Sequence, residues 1–368
     1  MVFRFLHTAD WQIGKRFGAF TSEKAALLRD ARFEAVASLA KLAISRDIRH
    51  VLVAGDIFET ETSEPATRRK LFAILRQHDR LVWHLLPGNH DPGRAGGIWE
   101  VSRRDGLPPN VTLHLEAKPA EIEPNVFILP CPIATRHVHA DPTAWIQGAT
   151  LSDTAARIGL AHGSTEGFTG DSGRQLDYAL AEKHLSYFAL GDWHGYKGVS
   201  ERTWYSGTPE PDRFKANAPG HVLLVELETP HAAPRVEPVH VGQYHWAEST
   251  FHMTGDGDLA RLRSDIADRH AQSRKLLMKL GVDGMVPLAA RLALQVDLER
   301  LADELFHLET DLDALHLRAE ANDLDMIDRS GELRHVAERL LAMAQSDAPN
   351  RDIAEGALAR LQAWSAGS

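Results

Sequence analysis

The chain of 368 residues contains a single cysteine, Cys131. One thiol cannot close an internal disulfide, which predicts a reducing, cytoplasmic setting. No uncharged apolar run approaches the ~20 residues that a membrane span requires, so no membrane partner is expected. The opening Met1-Val2-Phe3-Arg4-Phe5-Leu6-His7 is interrupted too early by charge to read as a secretory signal. An excess of basic charge is also missing: Lys and Arg number 41 against 51 Asp and Glu, for a net charge of −10. The deficit is concentrated after residue 245, where 14 basic residues face 22 acidic ones, against 27 and 29 before it. A protein that coats nucleic acid by charge alone is therefore excluded, because phosphate binding rests on Lys and Arg. Any such role must use a local patch, bound cations or a partner; equally, the negative charge serves solubility. With 43% hydrophobic and 25% charged residues, no repeat and no low-complexity segment, the chain is of globular composition. Its length suits two domains, or one large domain with an appendage, at about 150 residues each.

The first 245 residues alternate apolar runs of strand length with helical patterns. Val2–His7 ends in Thr8-Ala9-Asp10, His50–Ala54 in Gly55-Asp56, and Leu81–Leu86 in Pro87-Gly88-Asn89. Between them, Ala26, Leu27, Phe33, Val36, Leu39, Ala40 and Ala43 recur at helical spacing over 23–46, with Ser22 as the expected N-cap, and a second helix is predicted over 67–77. Short strands are predicted at 111–115, 125–129, 157–161, 186–190, 203–206, 221–227 and 235–241. Strand, helix, strand in the first 90 residues argues for a layered α/β core with helices outside. The later strands lack long intervening helices, so part of the sheet system is expected to be antiparallel or mixed. From residue 246 the pattern reads strand (247–253), helix (257–270), strand (275–282), helix (288–304), strand (314–318), a small α/β module. Two amphipathic helices are predicted at 331–345 and 351–364, carrying Leu333, Val336, Leu340 and Leu341, then Ile353, Leu358, Leu361 and Trp364. The expected division is 1–245, 246–325 and 326–368.

Five clusters bear chemistry: Asp10-Trp11-Gln12, Gly55-Asp56-Ile57-Phe58-Glu59, Gly88-Asn89-His90-Asp91, Ala161-His162-Gly163 and Gly191-Asp192-Trp193-His194-Gly195. Each ends a predicted strand, where open α/β sheets place their ligands. All offer oxygen or imidazole nitrogen and none a thiolate, a donor set suited to manganese, magnesium, iron or zinc. Phosphodiester cleavage needs an activated water and charge neutralisation at phosphorus, and two cations about 3.5–4 Å apart supply both. A carboxylate shared by two cations must be short and rigid, which Asp56 at a turn allowed by Gly55 satisfies. Three carboxylates (Asp10, Asp56, Asp192) against two divalent ions leave a local charge of about +1, which would let an acidic chain accept phosphate. Singly, each cluster has a plainer reading: Asp10 and Gly55-Asp56 as turn residues, Asn89-His90-Asp91 as a loop, His162 as a structural histidine, Asp192 and His194 as surface residues. Five in this order, each at a strand end, carry far more information than any one.

These clusters resemble the motifs of calcineurin-like metallophosphoesterases. Within them, His7-Thr8-Ala9-Asp10-Trp11-Gln12-Ile13-Gly14, Gly55-Asp56-Ile57-Phe58, Ala189-Leu190-Gly191-Asp192-Trp193-His194 and the later Tyr205-Ser206-Gly207-Thr208-Pro209 resemble the SbcD branch of DNA double-strand-break repair nucleases. The resemblance is dense over 1–245; beyond that it rests on layout. It implies a layered two-sheet core flanked by helices, with a small α/β capping module and C-terminal helices. It implies one metal held by Asp10, Gln12, Asp56 and His194, and a second by Asp56, Asn89, His162 and Asp192. His90 would stay outside both shells, facing the scissile phosphate and protonating the leaving oxygen. From spacing, Glu59 is expected to orient His90 by accepting a ring N–H, and Asp91 to brace the loop. The family usually has histidine where this chain has Gln12 and Asp192, and the shift toward oxygen favours manganese or magnesium over zinc.

The function so implied is a two-metal DNA nuclease, exonuclease on duplex ends and endonuclease on single strands. Its partners would be DNA, an SbcC-type coiled-coil ATPase gripped by the C-terminal helices, and a second copy in a homodimer. A small-substrate phosphoesterase and a non-catalytic scaffold binding DNA ends are the alternatives, because one metal core serves many substrates. Trp11 and Trp193 are expected to pack beneath the loops rather than stack on a base. Arg68-Arg69-Lys70 and Arg103-Arg104 are either phosphate contacts or solvated helix faces, and His137-Val138-His139 is expected to be a surface loop.

Overall fold

The computed structural model describes residues 2–135, 141–165, 175–215, 217–254, 257–269, 273–317, 324, 327, 331–344, 349–350, 353–354, 356–358 and 360–361. Elements run in the order β1 Phe3–Thr8, α1 Ser22–Ser45, β2 His50–Ala54, α2 Pro65–Gln77, β3 Val82–Leu86, α3 Ile98–Asp105, β4 Val111–Leu113, β5 Ala120–Glu123, β6 Val126–Cys131, β7 Ala156–His162, α4 Tyr178–Glu182 and β8 Tyr187–Gly191. They continue as β9 Lys197–Gly198, β10 Thr203–Tyr205, β11 His221–Leu227, β12 Arg235–His240, β13 His245–Met253, α5 Asp258–Arg269, β14 Leu276–Val286, α6 Leu288–Glu304, β15 His307–Asp311, β16 Leu315–Leu317 and α7 Glu332–Ala344. The chain divides into two compact units. The first comprises Met1–Asp212 and Ala216–Tyr244, the second Arg213–Lys215 and His245–Ser368.

The first unit is built from two six-stranded sheets. One has the order β12-β11-β1-β2-β3-β4, the other β5-β6-β7-β8-β10-β9. In the first, β1, β2, β3 and β4 run parallel, and β11 and β12 are antiparallel additions. In the second, β6, β7, β8 and β10 are parallel, with β5 and β9 antiparallel at the edges. The sheets are therefore mixed, because β5 and β6, β9 and β10, and β11 and β12 follow one another closely enough to pair as antiparallel neighbours, whereas β6, β7 and β8 are joined by longer crossovers and run parallel.

Strand composition explains the layers. Every residue of β2 is buried, because both faces are covered. Leu52 and Leu86 of one sheet meet Ile128, Ile158 and Tyr187 of the other, and Phe5 sets its ring edge-on to Tyr187 at 5.4 Å. The opposite face of the first sheet, with Val51, Val53 and Leu85, packs against Leu39 of α1, Leu71 and Leu75 of α2 and Trp99 of α3. The outer face of the second sheet, with Leu129, Phe188 and Leu190, is covered by Ile146 in the 3-10 turn Ala144–Gly148 and by Ala181 of α4. The result is helix, sheet, sheet, helix, the layered two-sheet α/β class that the strand pattern and the resemblance predict.

Some local expectations shift. The N-cap of α1 is Thr21, whose side chain accepts the Lys24 N–H at 3.5 Å; Ser22 is already helical. Leu27 is 47% exposed, and the buried stripe instead runs through Leu28, Arg32, Val36 and Leu39. Pro65 opens α2 at its first turn, where its missing N–H costs nothing, two residues before the predicted start. Helix α3 and strands β5 and β15 carry too few apolar residues in period to be singled out from sequence.

In the second unit, β14 pairs parallel with β13 along its length, with β15 at Leu277–Gly281 and with β16 at Gly284–Val286. Leu276, Met278, Leu280 and Val282 pack with Leu262 of α5 and Leu294 and Leu298 of α6. Helix α7 buries Ala337 and Leu341 with Ala354 and Leu358, while Leu333 and Val336 are about half exposed. Of the helix expected at 351–364, residues 353–354, 356–358 and 360–361 are described and helical; the remaining residues, and the segment His137-Val138-His139, lie outside the described residues. Among the described residues no helix is long and apolar enough to cross a membrane.

Candidate metal centre

The five clusters converge where the two sheets present the carboxyl ends of β1, β2, β3, β7 and β8. The backbone turns sharply there. Asp10, Gln12, Asp56 and Asp192 all have positive φ, at 54°, 48°, 54° and 100°. Such conformations cost non-glycine residues about 1–3 kcal/mol each and persist where the surroundings over-determine them. Here the first two loops pair with each other. Asp10 N–H donates to the Gly55 carbonyl at 3.0 Å, Gln12 N–H to the Asp56 carbonyl at 3.0 Å and Ile13 N–H to the Ile57 carbonyl at 2.9 Å. Two glycines are set by close approach: a Cβ on Gly55 would lie 2.3 Å from His162 Nδ1, and one on Gly88 only 2.1 Å from Asp56 Oδ1.

At the centre, Asp10, Asp56 and His162 are buried and each offers a ligand atom within 4.8 Å of the others. His162 Nδ1–H donates to the Ala54 carbonyl and Nε2–H to Asn89 Oδ1, both at 2.8 Å. Its ring nitrogens lie 3.5 Å from Asp56, 3.8 Å from Asp192 and 4.0 Å from Asp10 carboxylate oxygens. Burial alone would lower the His162 pKa, but Asp56, Asp10 and Asp192 raise it to about 9. Burial pushes Asp10 up to about 7, against the opposing pull of His194 and His162. The imidazolium thus supplies positive charge to a carboxylate cluster that lacks it, and a divalent ion would take its place by releasing the proton.

The other donors surround this core. Gln12 Nε2–H donates to Asp56 Oδ2 at 2.9 Å, which leaves its buried Oε1 without a hydrogen-bond partner. A buried amide oxygen in that state fits a cation ligand. Asp192 donates its backbone N–H to Asp10 at 3.1 Å and accepts from Ser164 Oγ at 2.9 Å. His194 Nδ1 bonds Asp212 Oδ1 at 3.2 Å. The donor set of carboxylates, amide oxygens and imidazoles fits divalent cations of hard to borderline character.

His90 sits apart. Its Nδ1–H donates to the backbone carbonyl of Glu59 at 2.8 Å, and its Nε2 lies 3.9 Å from Asp56 Oδ2. Its side chain is 20% exposed, whereas those of Asp10, Asp56, His162 and Asp192 are buried. The acceptor on Glu59 is main-chain, not the carboxylate expected from spacing, because that carboxylate is turned toward Lys15 Nζ at 3.8 Å. Asp91 accepts the Gly88 N–H at 2.7 Å and the Phe58 N–H at 3.0 Å, tying the third loop to the second.

Sequence reasoning did not find Asp212, Lys15 or Arg32. Asp212 bonds both His194 and Lys15, the latter at 2.9 Å. Burial would raise its carboxyl, but His194, Lys15 and Arg32 outweigh it and hold the pKa well below the usual range. Asp212 lies three residues beyond the Tyr205–Pro209 segment already singled out, which was the available signal. For Arg32 the signal was a charge in the apolar stripe between Leu28 and Val36. Trp11 is packed, with its Nε1–H on Thr8 Oγ1 at 3.0 Å and its ring edge-on to Trp83. Trp193 is partly buried against the outer face of the second sheet. Arg68 and Lys70 are engaged away from the centre, by Asp105 at 3.1 Å and Asp30 at 2.6 Å.

Residues 3–225, which contain all five clusters, match the family model described as calcineurin-like phosphoesterase. The chain is 29% identical over 291 residues to the SbcD subunit of the nuclease SbcCD from Rhodobacter capsulatus, covering 64% of this chain and 69% of that one. The solved structure of TT1561 from Thermus thermophilus aligns with a TM-score of 0.43 at 14% identity, covering 66% of this chain and 100% of that one. The family match spans more than half of the sequence and encloses the buried carboxylate and histidine centre, and the chain belongs to the calcineurin-like phosphoesterase family of metal-dependent hydrolases.

Proposed function

We propose that the chain is a two-metal nuclease that hydrolyses DNA phosphodiesters, as an exonuclease on duplex ends and an endonuclease on single strands, in DNA repair. The observation that carries this reading is the position of His90: fixed at Nδ1, partly exposed, beside Asp56 and outside the buried Asp10–Asp56–His162 cluster. Asp10, Gln12, Asp56 and His194 would hold one cation and Asp56, Asn89, His162 and Asp192 the other, with manganese or magnesium favoured by the oxygen donors. When bound, the cations supply charge neutralisation at phosphorus and activation of the attacking water. The chain's own residues do the rest. The Glu59 carbonyl fixes Nδ1, which leaves His90 Nε2, beside Asp56, as the proton donor to the leaving oxygen. Asp91 fixes the loop that carries it, and Asp212 holds His194 in one orientation, as outer partners of metal-binding imidazoles commonly do.

Similarity to the SbcD subunit of the nuclease SbcCD supports DNA as substrate and an SbcC-type ATPase as partner. In that reading 246–325 is a capping module, and 326–368 grips the ATPase through α7, whose Leu333 and Val336 are exposed. Homodimer formation and a cytoplasmic location belong to the same reading. The test is a manganese-dependent assay of linear duplex DNA beside a chromogenic phosphodiester, with His90→Ala as control. Cleavage of DNA that is lost in the variant supports the nuclease. Turnover of the small ester alone assigns a small-substrate phosphoesterase, and no turnover of either assigns a binding scaffold.

A further inference from the structure

A fully buried arginine stands behind the centre. Arg32 lies in the apolar stripe of α1 and is 1% exposed. A charge buried in a core is costly unless its donors find acceptors, which calls for a reason to keep it. Its guanidinium donates in four directions. Nε–H reaches the Trp11 carbonyl at 2.7 Å, Nη2–H the Asp10 carbonyl at 3.3 Å and Thr208 Oγ1 at 3.2 Å, and Nη1–H the Glu210 carbonyl at 3.1 Å.

These acceptors belong to two separate loops. Asp10 and Trp11 are in the loop after β1, where Asp10 and Gln12 both adopt positive φ. Thr208 and Glu210 are in the loop after β10, four and two residues before Asp212, which holds His194. Without Arg32, three carbonyls and a hydroxyl would face the core with fewer donors, and the link between the two loops would fall back on the Lys15–Asp212 ion pair at 2.9 Å, which touches neither strained residue. Only a planar fork serves four acceptors at once, because an ammonium carries three donors on one atom.

We propose that Arg32 is a positioning residue for the metal centre, a single guanidinium that locks the Asp10–Gln12 loop to the loop carrying Asp212 and so sets the geometry of Asp10 and Gln12 on the one and, through Asp212, of His194. The inference rests on the metal reading of the site given above. The full-length wild type, Arg32→Lys and Arg32→Met are titrated with Mn2+, free ion being followed by electron paramagnetic resonance, and their thermal unfolding is compared in chelator. Folded Arg32→Lys and Arg32→Met both bind Mn2+ about tenfold or more weakly than wild type, the scale seen for outer partners of metal ligands. Affinity within about twofold of wild type in folded Arg32→Lys, whatever its melting temperature, overturns the proposal, since a purely structural role would lower stability and leave binding unchanged. If the Arg32 variants do not fold, Thr208→Val removes one arm of the clamp, and a loss of about threefold is expected for one hydrogen bond; unchanged affinity there overturns the proposal too. A wild type that binds no Mn2+ overturns the metal reading itself, a result distinct from wild-type binding that the variants share.

Discussion

The ring of His90 is anchored to Glu59 through the main chain: Nδ1–H meets the Glu59 carbonyl at 2.8 Å, and Nε2 is thereby turned toward the Asp56 carboxylate, 3.9 Å away. His90→Ala is expected to keep its metal and lose turnover by about 10²–10⁴-fold, the range for a positioned proton donor. Glu59→Ala, by contrast, retains activity within a few-fold, because the carbonyl survives the substitution. Metal content by elemental analysis and steady-state rates check both, and metal loss in His90→Ala would contradict the assignment.

Asp56 accepts from Gln12 Nε2 at 2.9 Å and from the His90 N–H at 3.0 Å, and lies 3.5 Å from His162. Asp56→Ala is expected to release both ions, and retention of two per chain removes its bridging role. Gly88→Ala tests the same carboxylate from outside, since the added methyl would lie 2.1 Å from Asp56 Oδ1. It should abolish metal binding while the circular dichroism of the fold persists.

Gln12 presents a buried amide oxygen that has no hydrogen-bond partner. Gln12→His should therefore raise affinity for Zn2+ relative to Mn2+, because imidazole is the softer donor. Competition titration of the two ions reads the ratio directly; an unchanged ratio shows that residue 12 is not a ligand.

A pH prediction comes from a histidine ladder away from the centre. Glu123 can only accept, so His50 Nε2–H donates to it at 3.1 Å; His84 Nε2–H then donates to His50 Nδ1 at 3.0 Å, and His114 Nε2–H to His84 Nδ1 at 3.1 Å. Burial lowers all three, His114 to about 4 and His84 well below its ordinary value, while Glu123 offsets part of the effect on His50. Unfolded imidazoles take up protons near pH 6.5 and the folded ones resist, so their contribution is complete above that pH. For His114 it falls as pH drops from 6.5 toward about 4, by about 1.4 kcal/mol per pH unit. Urea unfolding in chelator between pH 7 and pH 4 should show a shallower decline for His114→Leu than for wild type. Parallel curves would show that His114 is not one of the titrating groups.

The two-sheet core and the five clusters were legible because each rests on short-range sequence. A strand buried on both faces, such as His50–Ala54, must be an apolar run, and a turn after it must carry Gly or Asp. What the local pattern alone could not carry was pairing at long range. Arg32 meets Glu210 across 178 residues, and His162 meets Asn89 across 73. The Glu59 contact was invisible for another reason, since a main-chain carbonyl has no letter in the sequence. By itself the sequence determined which residue types stand at the strand ends, and hence the class of chemistry. Only the tertiary structure decided which of them share a charge cluster and which are held by Asp212 and Arg32, because burial and Coulomb interaction depend on distances between loops that local composition does not encode.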